Sequence, residues 1–414
     1  MSQKIFTRYE IIIIAILSFL QFTIVLDFVV LSPLGFIIMH DLDLTTKQFG
    51  MVVSAYAISA GVSGLLTAGF ADKFDRKKLL LFFYSGFVFG TLLCGLANSY
   101  WFLLGARIVT GIFGGVIGSV SYAIITDLFQ MEVRGRVMGF VQMAFAGSQV
   151  LGIPIGLYLA NNWGWNTAFL MIVGASIVVG VFIALYLKPI DAHLKIKSER
   201  SPFLHLIKTI SFPDYARAFA STTLLATGGF MLMPFGSNFA VFNLGINKES
   251  IPLLYFITGV FSMALGPFIG KLSDQIGKYK TFFIGSVLTI IIVNIYCGLS
   301  ITPFWMVTVV SVIMFAGVSS RMISSSALLT AVPDPADRGA FMSINSSVQY
   351  IAGGIATYIA GSIVVQETDG KLRNYEMLGY VVTVAMIITL VMLYTIHRYV
   401  AKKQNLTADA RRAA

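Results

Sequence analysis

The sequence predicts an all-α membrane protein of twelve transmembrane helices, laid out as two six-helix bundles related by pseudo-symmetry. Three observations lead there. Of 414 residues, 57% are hydrophobic and only 12% charged, with a mean hydropathy of +0.83. A soluble domain carries about 45–50% apolar and about 25% charged residues, so these few charges cannot cover so much apolar surface in water. The apolar residues also fall in runs of the length a bilayer requires, about 20 residues each. Finally, the polar loops between the runs alternate between rich and poor in Lys and Arg, as loops on opposite membrane faces do.

In chain order, the predicted spans cover residues 10–39, 46–71, 79–97, 101–128, 137–160, 167–187, 217–243, 252–270, 281–301, 304–332, 339–364 and 376–397. The first follows Lys4 and Arg8. It outruns the ~7–15 apolar residues of a signal-peptide core and has no small-residue cleavage site, so it reads as a retained span. The longest polar interruption, 188–216, holds Lys188, Lys195, Lys197, Arg200 and Lys208. It divides an N-terminal bundle (1–187) from a C-terminal bundle (217–398), with a tail at 399–414. Within the interruption, Phe203–Ile210 places Leu204, Leu206 and Ile207 beside Lys208, the pattern of a short interfacial helix.

Of the 29 Lys and Arg residues, 23 fall on the face that carries the termini and the central linker. Lys47, Lys248, Lys371 and Arg373 fall on the other, and Arg107 and Arg321 lie inside spans. This bias places both termini and the linker in the cytoplasm of a protein of the inner cell membrane. The net charge of +10 is therefore a topology signal, and no nucleic-acid partner is expected.

An internal repeat supports two halves. Ala68-Gly-Phe-Ala-Asp72-Lys-Phe-Asp-Arg76-Lys-Lys78 after the second span matches Gly270-Lys-Leu-Ser-Asp274-Gln-Ile-Gly-Lys278-Tyr-Lys280 after the eighth, a shift of 202 from Asp72 to Asp274. Arg134-Gly-Arg-Val-Met138 matches Arg338-Gly-Ala-Phe-Met342 at a shift of 204, and the same shift carries Ser148, Gly152 and Gly156 onto Ala352, Ala356 and Ala360. Small residues at every fourth position let helices approach closely in lipid. Duplicated six-helix halves are a transporter architecture with its site between them.

At these residues the chain resembles the major facilitator superfamily. The loop Asp72-Lys-Phe-Asp-Arg76-Lys77-Lys78 is similar to the family's signature between the second and third spans, with Ala68 and Asp75 in place of its two glycines. Arg107-Ile-Val-Thr-Gly111 resembles the intramembrane Arg-x-x-x-Gly motif of the fourth span. Gly147, Gly152, Pro154 and Gly156, then Gly164-Trp-Asn166-Thr-Ala-Phe169, resemble the antiporter motif and its continuation in drug:proton antiporters and sugar-efflux permeases. Asn166 stands where those relatives carry Arg. The resemblance covers nearly the whole chain. It implies that Asp72, Arg76 and Asp127 form a cytoplasmic latch between the halves, with Asp274 as the repeat's counterpart. A carboxylate at a helix N-terminus is favoured there, although the basic residues of the same loop also serve topology alone.

Charge inside a membrane is costly and therefore informative. Asp27 is the only deep acid, and Arg107 lies six residues inside the external end of the fourth span. At about 1.5 Å per residue both sit in the outer half of the bilayer. Burial opposes the carboxylate's charge and an arginine favours it, so Asp27 is a candidate proton site tuned by Arg107, or else half of a structural ion pair. Arg321, in the tenth span, has no deep acid in its own half. It requires carbonyls, water, an acid from the other half, or an anionic group of the substrate. Gly152 and Pro154 predict a kink in the fifth span that the eleventh, with Tyr358 at the matching place, lacks. Gln21, Tyr56, Gln142, Gln149, Asn238, Asn345, Gln349 and Tyr350 are candidate cavity-lining residues or interhelical hydrogen bonders.

No phosphate-binding loop sequence is present, the four histidines are scattered, and Cys94 and Cys297 lie inside apolar runs. No cofactor, metal or enzymatic activity is therefore expected. The expected function is secondary transport by alternating access as a monomer, through proton-coupled efflux of a small amphipathic molecule. A facilitator or importer of an organic anion with Arg107 and Arg321 as counter-charges is the alternative, and a non-transporting receptor or membrane-embedded enzyme is a more distant one.

Overall fold

A computed structural model of the chain describes residues 6–67, 71–191, 194, 202–334 and 337–413. The first helix, α1 (Arg8–Val30), opens on a capping box in which Thr7 and Glu10 exchange hydrogen bonds. The span predicted at 10–39 is not one continuous helix. Pro33 has no N–H to continue the ladder, and the chain turns through Leu31–Leu34 before α2 (Gly35–Asp41).

There follow α3 (Thr46–Thr67), α4 (Arg76–Gly95) and α5 (Tyr100–Leu128). The fifth crossing is composite, made of α6 (Met131–Gly147), a π-helical turn at Ser148–Gly152 and α7 (Ile153–Trp163). Helix α8 (Asn166–Tyr186) ends the first half, and the linker contains α9 (Pro202–Ser211). Leu206 and Thr209 of α9 are buried against the second half, while Lys208 and Ile210 face outward.

The seventh crossing also departs from the predicted unbroken span 217–243. Helix α10 (Pro213–Phe230) gives way to a turn containing Pro234, then α11 (Gly236–Asn238) and a π turn at Phe239–Asn243. After α12 (Ile251–Ile276), α13 (Lys278–Cys297), α14 (Phe304–Leu329) and α15 (Arg338–Ile363) comes a hairpin of β1 (Val365–Gln366) and β2 (Leu372–Arg373). The Asn243 side chain donates to Leu372 O at 3.0 Å and accepts from Leu372 N at 2.9 Å, so it pairs with the hairpin as a neighbouring strand would. On the hairpin turn, the Lys371 backbone N–H and ammonium hold the Asp369 carboxyl below the usual carboxylate range. Helix α16 (Tyr375–Ala413) continues past residue 397, so the predicted tail is helical through Ala413.

Eleven helical segments among the described residues are long and apolar enough to cross a membrane. The remaining predicted crossing, the eleventh in chain order, is α15, which has the length, 26 residues. Ser343, Asn345, Ser346, Ser347 and Gln349 dilute its hydropathy. It lies along α3 as the most extensive helix pairing in the molecule, so much of it faces protein rather than lipid.

Three hydrophobic clusters give the arrangement its sense. We call the membrane face carrying the start of α1 and the end of α16 the near side. One cluster draws residues from both halves toward the far side, including Leu34 and Phe49 with Phe235, Phe239 and Ala360. A second lies wholly in the first half, from Ile13 to Ile190. A third belongs to the second half, from Leu206 to Val400, with Leu65 of α3 at its edge. The halves thus share a core on the far side and keep separate cores on the near side.

Contacts along α12 agree. A Cβ at Gly259 would lie 3.1 Å from the Gln149 backbone, yet Gly266 and Gly270, on the same face two and three turns on, have nothing within 4 Å. The halves pack together on the far side and part along α12 toward the near side.

Candidate functional site

Asp27 of α1 and Arg107 of α5 meet inside the first half. Arg107 Nη1 donates to Asp27 Oδ2 at 2.8 Å, and neither side chain is exposed at all. Thr91 Oγ1 of α4 donates to Asp27 Oδ1 at 3.1 Å, so both carboxylate oxygens are engaged. The Tyr56 ring of α3 covers the guanidinium, 4.5 Å from centroid to Arg107 Cζ. Close helix approach makes this fit, since a Cβ at Gly114 would lie 2.7 Å from the Tyr56 hydroxyl. Removing either partner strands a charge in a low-dielectric interior, which is why such pairs persist together.

Phe28, next in sequence to Asp27, joins this pair to the other half. Its ring lies 5.3 Å from Tyr56, 5.8 Å from Phe230 and 5.9 Å from Tyr350, centroid to centroid. Phe28, Phe230 and Tyr350 are partly exposed, whereas Tyr56 is buried. The four rings form an aromatic layer between the ion pair and the inter-half space. Sequence reasoning picked out Tyr56 and Tyr350 for their hydroxyls but missed Phe28 and Phe230. The adjacency of Phe28 to the one deep acid was the available signal.

A π turn at Ser148–Gly152 interrupts the fifth crossing beside Gly152 and Pro154. The Ile153 N–H reaches back to Ser148 O in a π turn, and Pro154 starts the helix beyond it. Gly152 lets α1 come close, since a Cβ there would lie 2.5 Å from Leu26 Cδ1. The backbone of Gln149 and Val150 in this turn is what meets Gly259 of α12. The π turn therefore contacts α1 on one side and the second half on the other, while α15 runs without a break past Tyr358.

At the near side, Arg76 Nε donates to Asp127 Oδ2 at 3.1 Å and Nη1 to Ala71 O at 3.2 Å. The Asp72 side chain lies outside the described residues. Asp75, which replaces a family glycine, caps α4 by accepting from Lys78 N and also accepts from Ile190 N at 2.7 Å, tying the loop to the linker. Gly277 in the second copy holds φ at +99°, a left-handed conformation that suits glycine. Asp274 bonds Lys278 within its own repeat and is 72% exposed. Asn166 donates to the carbonyls of Gly95 and Ala97 at 3.0 and 3.2 Å, tying α8 to the end of α4.

The remaining candidates divide. Gln21, Gln149 and Gln349 are half-buried and Gln142 is exposed. Asn345 accepts from Thr222 Oγ1 at 2.6 Å within the second half. Asn238 is fully buried in the far-side seam with its amide 3.4 Å from Met39 Sδ, so it lines no open space here. Arg321 is also buried, apart from Asp27 and Arg107, and its Nε and Nη2 have no hydrogen-bond partner.

Comparison with known proteins agrees with this architecture. The family model for the Major Facilitator Superfamily matches residues 17–213 and again 218–413. An uncharacterized MFS-type transporter of Bacillus subtilis, YceJ, is 25% identical over 374 residues, covering 88% of this chain and 93% of the relative. Multidrug resistance protein 3 of the same organism is 29% identical over 163 residues, 39% of this chain and 32% of the relative. Among solved structures, a D-xylose–proton symporter superposes with a TM-score of 0.75 at 16% identity, covering 92% of this chain and 97% of that one.

Proposed function

The chain belongs to the Major Facilitator Superfamily and is a membrane transporter rather than an enzyme, and from that premise we propose that it performs proton-coupled efflux of a small amphipathic organic molecule. The observation that carries this reading is the Asp27–Arg107 pair, the one deep carboxylate and its counter-ion, sealed from water by Tyr56. A carboxylate with two partners keeps its charge while they stay in place. If helix movement loosens Arg107 or admits water, the balance between desolvation and pairing changes and the group can take a proton. Phe28 supplies the coupling, since it touches both the pair's cover and the second half. Cargo that parts Phe28 from Phe230 and Tyr350 would disturb Tyr56 and hence Arg107.

Alternating access follows from the seam. The far-side cluster is shared and the near-side clusters are separate, so the complementary state would close the near side and split the far-side core. The excess of basic residues on the near side supports its assignment to the cytoplasm of the inner cell membrane. Arg76 and Asp127, with Asp72, would latch that side when closed. Partial likeness to a multidrug resistance protein supports an efflux mode.

Proton release decides the matter. Adding cargo to purified protein in weakly buffered detergent should release protons in the wild type and none in Asp27→Asn, whereas release that survives Asp27→Asn removes Asp27 from the coupling. A second reading, transport of an organic anion, rests on the unpaired Arg321 alone, because Arg107 is already neutralised by Asp27.

A further inference from the structure

The second half contains a cation with no counter-charge. Arg321 of α14 is 2% exposed, and its Nε and Nη2, the edge of the guanidinium that grips a carboxylate two-handed, are buried without a partner. Among the described residues no acid pairs with it. Helices α13, α14 and α15 contain no Asp or Glu. Asp214 of α10 pairs with Arg217, Asp274 of α12 pairs with Lys278 at the end of its helix, and Glu376 sits in the first turn of α16.

The neighbours found beside the guanidinium are apolar or carry no side chain. A Cβ at Gly228 of α10 would lie 3.7 Å from both Arg321 Nη atoms and from Met386 Cε, and one at Gly229 would meet nothing within 4 Å. Gly228 thus presents bare backbone to the guanidinium, whereas Gly229, about 100° further round the helix, is exposed. On another side the Phe282 ring of α13 lies 5.7 Å from Arg321 Cζ. One turn along the same face of α13, the Ser286 hydroxyl is buried and also has no partner. Apolar walls around two unused donor groups suit a group of opposite charge, since a charge-assisted bond gains strength where water is excluded.

We propose that Arg321, with the side-chain-free face of α10 at Gly228 and the Ser286 hydroxyl, forms an anion-binding site inside the second half, filled by a small inorganic anion or by the acid group of the cargo. This site stands on the geometry of the second half alone and does not depend on proton coupling at Asp27.

The test is thermal unfolding of the intact protein in detergent at fixed ionic strength, with the bulky sulfonate MES replaced stepwise by chloride or by benzoate. A saturable rise in Tm is expected for the wild type and for Asp27→Asn, and none for Arg321→Gln. A rise with chloride identifies a free inorganic anion, and a rise with benzoate alone identifies the cargo's acid group. Gly228→Asp brings a carboxylate to the guanidinium and should raise Tm in MES while abolishing the response to both anions. It decides the question even if Arg321→Gln fails to fold. A wild type indifferent to both anions, or a response that survives Arg321→Gln or Gly228→Asp, overturns the proposal.

Discussion

The hydroxyl of Ser237 donates to the carbonyl of Ser32 at 3.0 Å across the boundary between the halves. Each residue belongs to a break in its crossing, and the two breaks share a sequence, Leu31-Ser-Pro33-Leu-Gly35 and Leu232-Met-Pro234-Phe-Gly236. Proline interrupts the helix ladder, and in the turn that follows the Ser32 carbonyl accepts both from Gly35 N at 3.1 Å and from this hydroxyl of the opposite half. Around this bond, Phe49 and Phe235 pack edge to face at 6.1 Å, and the Asn238 amide lies against Met39. The far-side seal is thus built from paired helix breaks. Ser237→Ala leaves Ser32 O without that donor and should cost about 1 kcal/mol of the closed far side. Spin labels placed one on each half at that face should report a larger share of far-side-open molecules.

Packing between α3 and α15 makes a stronger case. A Cβ at Gly354 would lie 2.7 Å from Ile58 Cγ1 and 3.1 Å from Ser54 O, and Thr46 Oγ1 donates to Val364 O at 2.5 Å at the end of the same contact. Gly354→Leu overpacks this seam at a cost of about 1–3 kcal/mol. Because the cost falls on the state in which the helices touch, the same label pairs should show the far side opening, with little loss of overall stability.

For the ion pair, Asp27→Asn leaves Arg107 buried without a counter-charge and should destabilise the protein by about 3–5 kcal/mol. Neutralising Arg107 as well should restore much of that loss. Thermal unfolding of both single variants and the double variant measures the coupling, and proton-driven flux should be absent from all three. Full proton-driven flux in Asp27→Asn would mean that the pair is only structural.

Asn166 offers a control. Its amide holds two carbonyls at the end of α4, so Asn166→Ala should cost about 1–2 kcal/mol in thermal stability. Cargo flux per folded molecule should be unchanged, because the residue touches neither the ion pair nor the seam.

Near-side gating can be read by cysteine labelling. Both native cysteines are buried, so a cysteine introduced at Gln142, which is exposed in this state, reports on the open face. Arg76→Ala removes a bond to Asp127 that this state already makes within the first half, so labelling there should speed up only if Arg76 also holds the near side closed in the complementary state. A slower rate would contradict a latch role for Arg76.

Much of this was readable from sequence because lipid makes two demands that leave marks. Crossings must be apolar, which gave twelve spans, eleven of them matched by helices long and apolar enough to cross among the described residues, and buried charges must be few, which singled out Asp27, Arg107 and Arg321. The breaks at Pro33 and Pro234 escaped notice because apolar residues flank them, so hydropathy reads straight through. Their repetition 201 positions apart was the legible clue. The pairing of α3 with α15 left a fainter mark, small residues spaced for contact but with no sign of which helix they meet. Asp274 illustrates a different limit. Sequence suggests a latch, but whether it is engaged depends on the conformational state, which sequence does not encode.

The shared far-side core also sets an order on biosynthesis. When residue 190 has left the ribosome, the cluster from Ile13 to Ile190 can form from the first half alone. The core that begins at Leu26 must wait for Phe235, Ala360 and finally Met386. Until then, the outer ends of the first six helices rest against lipid or a chaperone. A chain stopped at the linker would therefore be folded at one end and unfinished at the other, a ready substrate for membrane proteases.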